Sequence, residues 1–189
     1  MAWLYCPIKM AGLMHEMVPD NLVQFMPILD AVHADTVDTI WKDSYVYLTA
    51  KTLWVTEDSP GNRPGWHSDG FMTEDVNYIW SDRNPTLFWI AEKPQAFTQD
   101  HTKAMVEMAD VAERKGYQDC YADRHLLRLD ERHIHRVGNN FTAGMRTFVK
   151  VSLSKHKYSH VGNSINHSLP QFPRPSVQRA VERNCPATN

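Results

Sequence analysis

The chain has 189 residues, with 20 basic and 22 acidic side chains and a formal net charge of −2. Hydrophobic residues make up 42% and aromatic residues 11%, the proportions of a folded domain with a sizeable core, which excludes extended disorder. The near-neutral charge gives no support to a protein built mainly to neutralise nucleic-acid phosphates, and no stretch approaches the roughly 18 apolar residues of a membrane-spanning helix.

From the N-terminus, the first nine residues lack a basic leader followed by a long apolar core, so the expected setting is cytoplasmic and no membrane partner is expected. Cys6, Cys120 and Cys185 are far apart and no CxxC occurs, which supports neither a zinc ribbon nor a disulfide framework. Apolar residues at three- and four-residue spacing predict helix over 18–37, broken or kinked near Pro27, with Asp20 as a cap. β-Branched and aromatic residues predict strands over 44–49 and 52–56, and the Gly/Pro-rich stretch 57–65 reads as a loop.

Further strands are expected over 76–80 and 86–90, separated by a turn. The clearest helix is 98–115, with Thr98 as cap and Gly116 as terminator. Strands resume over 125–129, 133–137 and 145–153, the last two joined by a turn at Gly138, Asn139 and Asn140. Beyond Gly162 the chain is Pro-rich and reads as a surface tail with a short helix near 177–183. The fold class is therefore mainly β with flanking α-helices, a sandwich or jelly roll over 1–163 followed by a tail over 164–189.

His15 and Glu16 begin like the zinc-protease HExxH, but Pro19 stands where the second histidine belongs, and there is no P-loop, GxGxxG or GxSxG. His67 and Asp69 form an HxD pair after the Gly/Pro loop. On an extended strand, residues two apart project to one face, so one imidazole and one carboxylate reach the same ion. A second histidine from a neighbouring strand completes the two-His, one-carboxylate face that suits non-haem Fe(II). His133 and His135 both qualify, since both project to one face of an extended strand, and Arg146 follows His135 by 11 residues. An arginine inside such a barrel pairs bidentately with a carboxylate. Trp66, Trp80 and Trp89 are better explained by core packing than as base-stacking platforms. His156 and His160 are better explained by a polar exit loop than by a metal pair.

Over residues 45–155 the chain resembles the Fe(II)/2-oxoglutarate-dependent oxygenases of the double-stranded β-helix fold. The resemblance rests on 65–71 with the HxD pair, on 77–80, on 84–86, and on His135 followed by Arg146. It implies that His67, Asp69 and the distal histidine hold Fe(II), and that Arg146 grips the distal carboxylate of 2-oxoglutarate. It also implies that Tyr78, or less directly Thr86, hydrogen-bonds this co-substrate. Position 148 is Phe where some subfamilies carry a serine, so no serine contact is implied there. The implied activity is hydroxylation or demethylation of a small molecule, nucleobase or side chain. The competing expectations are a non-catalytic jelly-roll binding or structural module, and a cupin-like metal enzyme that uses no 2-oxoglutarate.

Overall fold

A computed structural model describes residues 1–91, 93–114, 117–138 and 141–178. Among the described residues, nine strands form two antiparallel sheets. The larger contains β1 (Ala2–Lys9), β2 (Tyr45–Val55), β4 (Val76–Ser81), β7 (Leu127–Leu129) and β9 (Gly144–Ser154), in the order β1-β2-β9-β4-β7. The smaller contains β3 (His67–Ser68), β5 (Thr86–Ile90), β6 (Tyr117–Cys120) and β8 (Ile134–Val137), in the order β3-β8-β5-β6. From β2 to β5, and again from β7 to β9, successive strands alternate between the sheets. Ile79, Phe88, Leu129 and Phe148 pack between the two sheets.

The long pair β2–β9 is the spine, in register from Tyr45 opposite Ser154 to Val55 opposite Gly144. The two strands expected over 44–56 are this one continuous strand. β1 was not anticipated: it is an edge strand that tolerates Pro7, and its register slips between Trp3 and Cys6 and between Pro7 and Lys9.

The expected helix over 18–37 divides in two. A 3-10 helix, Asp20–Phe25, precedes α1, Met26–Thr36. Pro27 lies in the first turn of α1, where its missing N–H costs nothing, so it starts the helix and does not kink it. Asp20 opens the 3-10 helix and does not cap it; Pro19 occupies the cap position. Leu22, Phe25, Leu29 and Val32 cover the outer face of the larger sheet, against Val46, Leu48, Val149 and Val151. Fully burying each such side chain is worth about 1.5–3 kcal/mol. Trp41 completes this layer, its Nε1–H donating to the Met14 carbonyl at 2.7 Å.

α2, His101–Arg114, covers the outer face of the smaller sheet through Ala104, Met108 and Ala112, packed with Trp66, Trp89 and Ile134. Trp66 and Trp89 are thus core residues, as expected. The cap is Asp100, whose Oδ1 accepts from Lys103 N–H at 3.0 Å; Thr98 instead bonds Glu107. The expected terminator Gly116, the turn residues Asn139 and Asn140, and the helix near 177–183 lie wholly or mainly outside the described residues.

The described part of the segment expected as a surface tail, 164–178, is docked. Leu169 and Phe172 are buried against Tyr47. Asn166, also buried, donates to the Pro7 and Met17 carbonyls at 2.9 and 2.6 Å. Ser164 exchanges hydrogen bonds with Leu4, so this strap lies along the edge strand β1 and satisfies part of its exposed backbone. Among the described residues, no helix is long and apolar enough to cross a membrane.

Candidate metal centre

β3 is two residues long, and its one neighbour is β8, with His67 opposite His135. The two rings lie side by side, centroids 4.6 Å apart. His133 stands before β8 begins. Its exposed ring bonds Asp130 at 2.8 Å, which removes it from the choice of distal ligand. Asp69 is not on the strand as expected but opens the turn that follows. That turn needs Gly70: its φ is +81°, and a Cβ there would meet the Asp75 carbonyl at 2.7 Å.

The Gly65 carbonyl accepts from His67 Nδ1 at 2.9 Å, and the His133 carbonyl accepts from His135 Nδ1 at 2.8 Å. A carbonyl is only an acceptor, so each Nδ1 carries the proton and each Nε2 is left as the metal-binding lone pair. His135 Nε2 lies 3.8 Å from Asp69 Oδ2. One ligand atom from each of His67, Asp69 and His135 falls within 4.8 Å of the other two, so the three can hold a metal ion.

The electrostatics suit a cation. Burial and the neighbouring His135 hold the His67 imidazole down to about 3. Burial also lowers His135, against the opposing pull of Asp69. For Asp69, burial pushes upward, but Lys150, His135 and His67 together outweigh it and keep the carboxyl below its usual range. At neutral pH the group is therefore two neutral nitrogens and one anionic oxygen, the donor set of a divalent transition metal.

The three residues open onto a cavity of about 560 Å³. On its larger-sheet wall, Arg146, Phe148 and Lys150 alternate along β9, and Thr49 and Lys51 come from β2. Arg146 is buried. Its Nε donates to the Arg83 carbonyl at 2.9 Å and its Nη2 to the Asn84 carbonyl at 3.2 Å, while the guanidinium carbon sits 5.2 Å from the Phe148 ring centre. Burial lowers it to about 10, so it is still a cation at neutral pH. Lys51, brought down to about 8 by burial and by Arg146 and Lys150, donates to Asn62 Oδ1 at 2.8 Å and to the Gly61 carbonyl.

Thr86 is buried and lines the cavity. Tyr78 does not. Ile79 faces the cavity, so its neighbour on the strand points to the opposite face, where the Tyr78 hydroxyl donates to Asp35 of α1. The implied co-substrate contact at Tyr78 is thereby corrected. The loop over 57–65 contributes Asn62 and Arg63 to the wall, and the segment before the strap contributes Tyr158 and His160. His156 and His160 lie on irregular chain, not on a helix. Lys51, Lys150 and Tyr5 line the cavity without having been singled out from the sequence. For Lys150 the signal was present, since it shares the strand parity of Arg146.

No family model and no curated protein matches the chain. Among solved structures, Peruvianin-I, a cysteine peptidase from Thevetia peruviana latex, aligns with a TM-score of 0.31 at 10% sequence identity. The alignment covers 59% of this chain and 52% of the peptidase, so the chain spans about half the length of that structure. A likeness this distant carries no inference about the site.

Proposed function

We propose that this protein is an Fe(II)- and 2-oxoglutarate-dependent oxygenase of the double-stranded β-helix fold, acting as a hydroxylase or demethylase on a small molecule, nucleobase or side chain. The observation that carries the reading is the convergence of His67, Asp69 and His135 on one cavity whose wall also bears the buried cation Arg146. The alternation of strands between the two sheets supports the fold.

The donor set fits the metal: two imidazoles tied back through Nδ1, with Nε2 unprotonated, and a carboxylate held as an anion. When bound there, Fe(II) supplies the activation of dioxygen that couples decarboxylation of 2-oxoglutarate to succinate with oxidation of a substrate C–H bond. His67, Asp69 and His135 would hold the metal through one donor atom each, facing the cavity that would receive the co-substrate. Arg146, anchored by the Arg83 and Asn84 carbonyls, presents its remaining N–H groups as a fork for the distal carboxylate. Thr86 adds a hydroxyl to the same cavity. A metal enzyme without 2-oxoglutarate has no need of an internal carboxylate clamp, so a co-substrate requirement that depends on Arg146 separates the two readings.

The test is an anaerobic titration of the Fe(II)-loaded protein with 2-oxoglutarate. A visible metal-to-ligand charge-transfer band that saturates with co-substrate supports the proposal. Tight iron binding with no band at any 2-oxoglutarate concentration sinks it.

A further inference from the structure

We propose that Lys150 is a positioning residue for the metal centre: its ammonium fixes the carboxylate of Asp69, and Tyr5 in turn fixes Lys150. The proposal rests on the reading of His67, Asp69 and His135 as metal ligands.

Each of the three candidate ligands has one further partner. For His67 it is the Gly65 carbonyl, for His135 the His133 carbonyl, and for Asp69 it is Lys150, whose Nζ lies 3.1 Å from Oδ2. Asp69 is the ligand that most needs one. It sits in a turn, outside the β3–β8 ladder that orients the two histidines, and is the most exposed of the three. A carboxylate free to rotate can bind a metal through one oxygen or two, and so can take up a position that co-substrate needs. An ammonium on Oδ2 restricts that choice.

Lys150 is itself held. It is 9% exposed, its Nζ donates to the Tyr5 hydroxyl at 3.1 Å, and it lies 5.0 Å from the Tyr5 ring centre. Tyr5 reaches it from the bulge in β1, where its φ of +45° is a conformation that an aromatic residue rarely adopts. The Thr49 hydroxyl accepts from Tyr5 N–H at 3.0 Å within that bulge. A strained tyrosine on an edge strand thus ends at the ligand shell.

Simple electrostatics predicts the opposite sign of effect from positioning. A buried cation beside a divalent-metal site repels the metal, so deleting it should tighten binding. A positioning partner, when deleted, loosens binding, by roughly 10–100-fold for such outer contacts.

The experiment is a titration of the metal-free protein with Co(II), without co-substrate, read by binding isotherm and visible spectrum. We expect Lys150→Met to weaken Co(II) by at least about tenfold and to shift the ligand-field band. Lys150→Arg, which keeps charge and donors, should recover most of the affinity, and Tyr5→Phe should show a smaller loss in the same direction. Affinity equal to or tighter than wild type in Lys150→Met overturns the proposal. Should Lys150→Met fail to fold, Tyr5→Phe decides, and a wild-type isotherm and spectrum there overturn it. Failure of the wild-type protein to bind Co(II) removes the metal centre and this proposal together. A Lys150-dependent Co(II) site in a protein that shows no charge-transfer band with Fe(II) and 2-oxoglutarate supports the positioning role while rejecting the oxygenase.

Discussion

His67 and His135 are register partners across β3 and β8, with ring centroids 4.6 Å apart and with each Nδ1 tied to a backbone carbonyl two residues before it in the chain. The pairing brings two residues 68 positions apart in sequence close enough to share one metal ion.

Removing either ring should therefore be equally damaging. His67→Ala and His135→Ala are each expected to lower Fe(II) affinity at least about a hundredfold, or about 2.8 kcal/mol. His133→Ala should bind like the wild type, because His133 is turned toward Asp130. Anaerobic Fe(II) titration of the three variants checks this; a loss in His133→Ala comparable with His135→Ala would mean the distal ligand is misassigned.

Arg146 is expected to act on co-substrate and not on metal. Arg146→Lys should raise the 2-oxoglutarate concentration for half-maximal succinate release by at least about tenfold, or about 1.4 kcal/mol, with little change in Fe(II) affinity measured alone. Arg146→Ala should be worse, and should also lower the melting temperature, since the Arg83 and Asn84 carbonyls lose their donor. Wild-type co-substrate curves in both variants would dismiss Arg146 as the clamp.

Tyr78→Phe should leave the 2-oxoglutarate requirement unchanged. Its hydroxyl serves Asp35 on the far side of the sheet, so the expected cost is in stability, about 1 kcal/mol for the lost hydrogen bond. Denaturant unfolding and succinate release, measured on the same sample, separate the two effects.

Cys6 predicts an alkaline weakness. It is fully buried in β1, and burial pushes its thiol up from 9.0 to about 12. Below pH 9 the thiol is protonated in both folded and unfolded chains. Between pH 9 and 12 the unfolded chain ionises and the folded one does not, so stability falls with rising pH by about 1.4 kcal/mol per unit. Cys6→Ala should lose that component of the slope while being less stable at neutral pH. In the native protein, exposed Cys120 should react with a thiol reagent at once, and Cys6 only after unfolding.

How far the sequence foretold these features depended on how one-sided each element is. β5 was expected over its observed span because its apolar run is bounded by a Pro-containing turn. β4 was expected too, but the parity of Tyr78 was not, because α1 covers one face of the sheet while the cavity and core occupy the other. With both faces buried, the alternation that would mark the inward one disappears. β6, with the sequence YQDC, is a mostly exposed edge strand without a buried face to reveal it. The choice between His133 and His135 depended on where β8 begins, a boundary that spacing alone does not set. Lys150 was passed over because a lysine on a strand is normally solvated; it takes the Asp69 and Tyr5 contacts to show that this one points inward.

The docked strap and the first strand share one side of the cavity. Leu4 and Tyr5, near one end of the chain, and Val161 and Asn163, toward the other, form adjoining parts of the same cavity wall, stitched by the Leu4–Ser164 hydrogen bonds. All three candidate metal ligands, His67, Asp69 and His135, lie between these two segments in sequence, and neither segment supplies one. Removing the strap would therefore leave the His67, Asp69 and His135 group in place while opening one side of the cavity, so the strap governs access without taking part in the donor set.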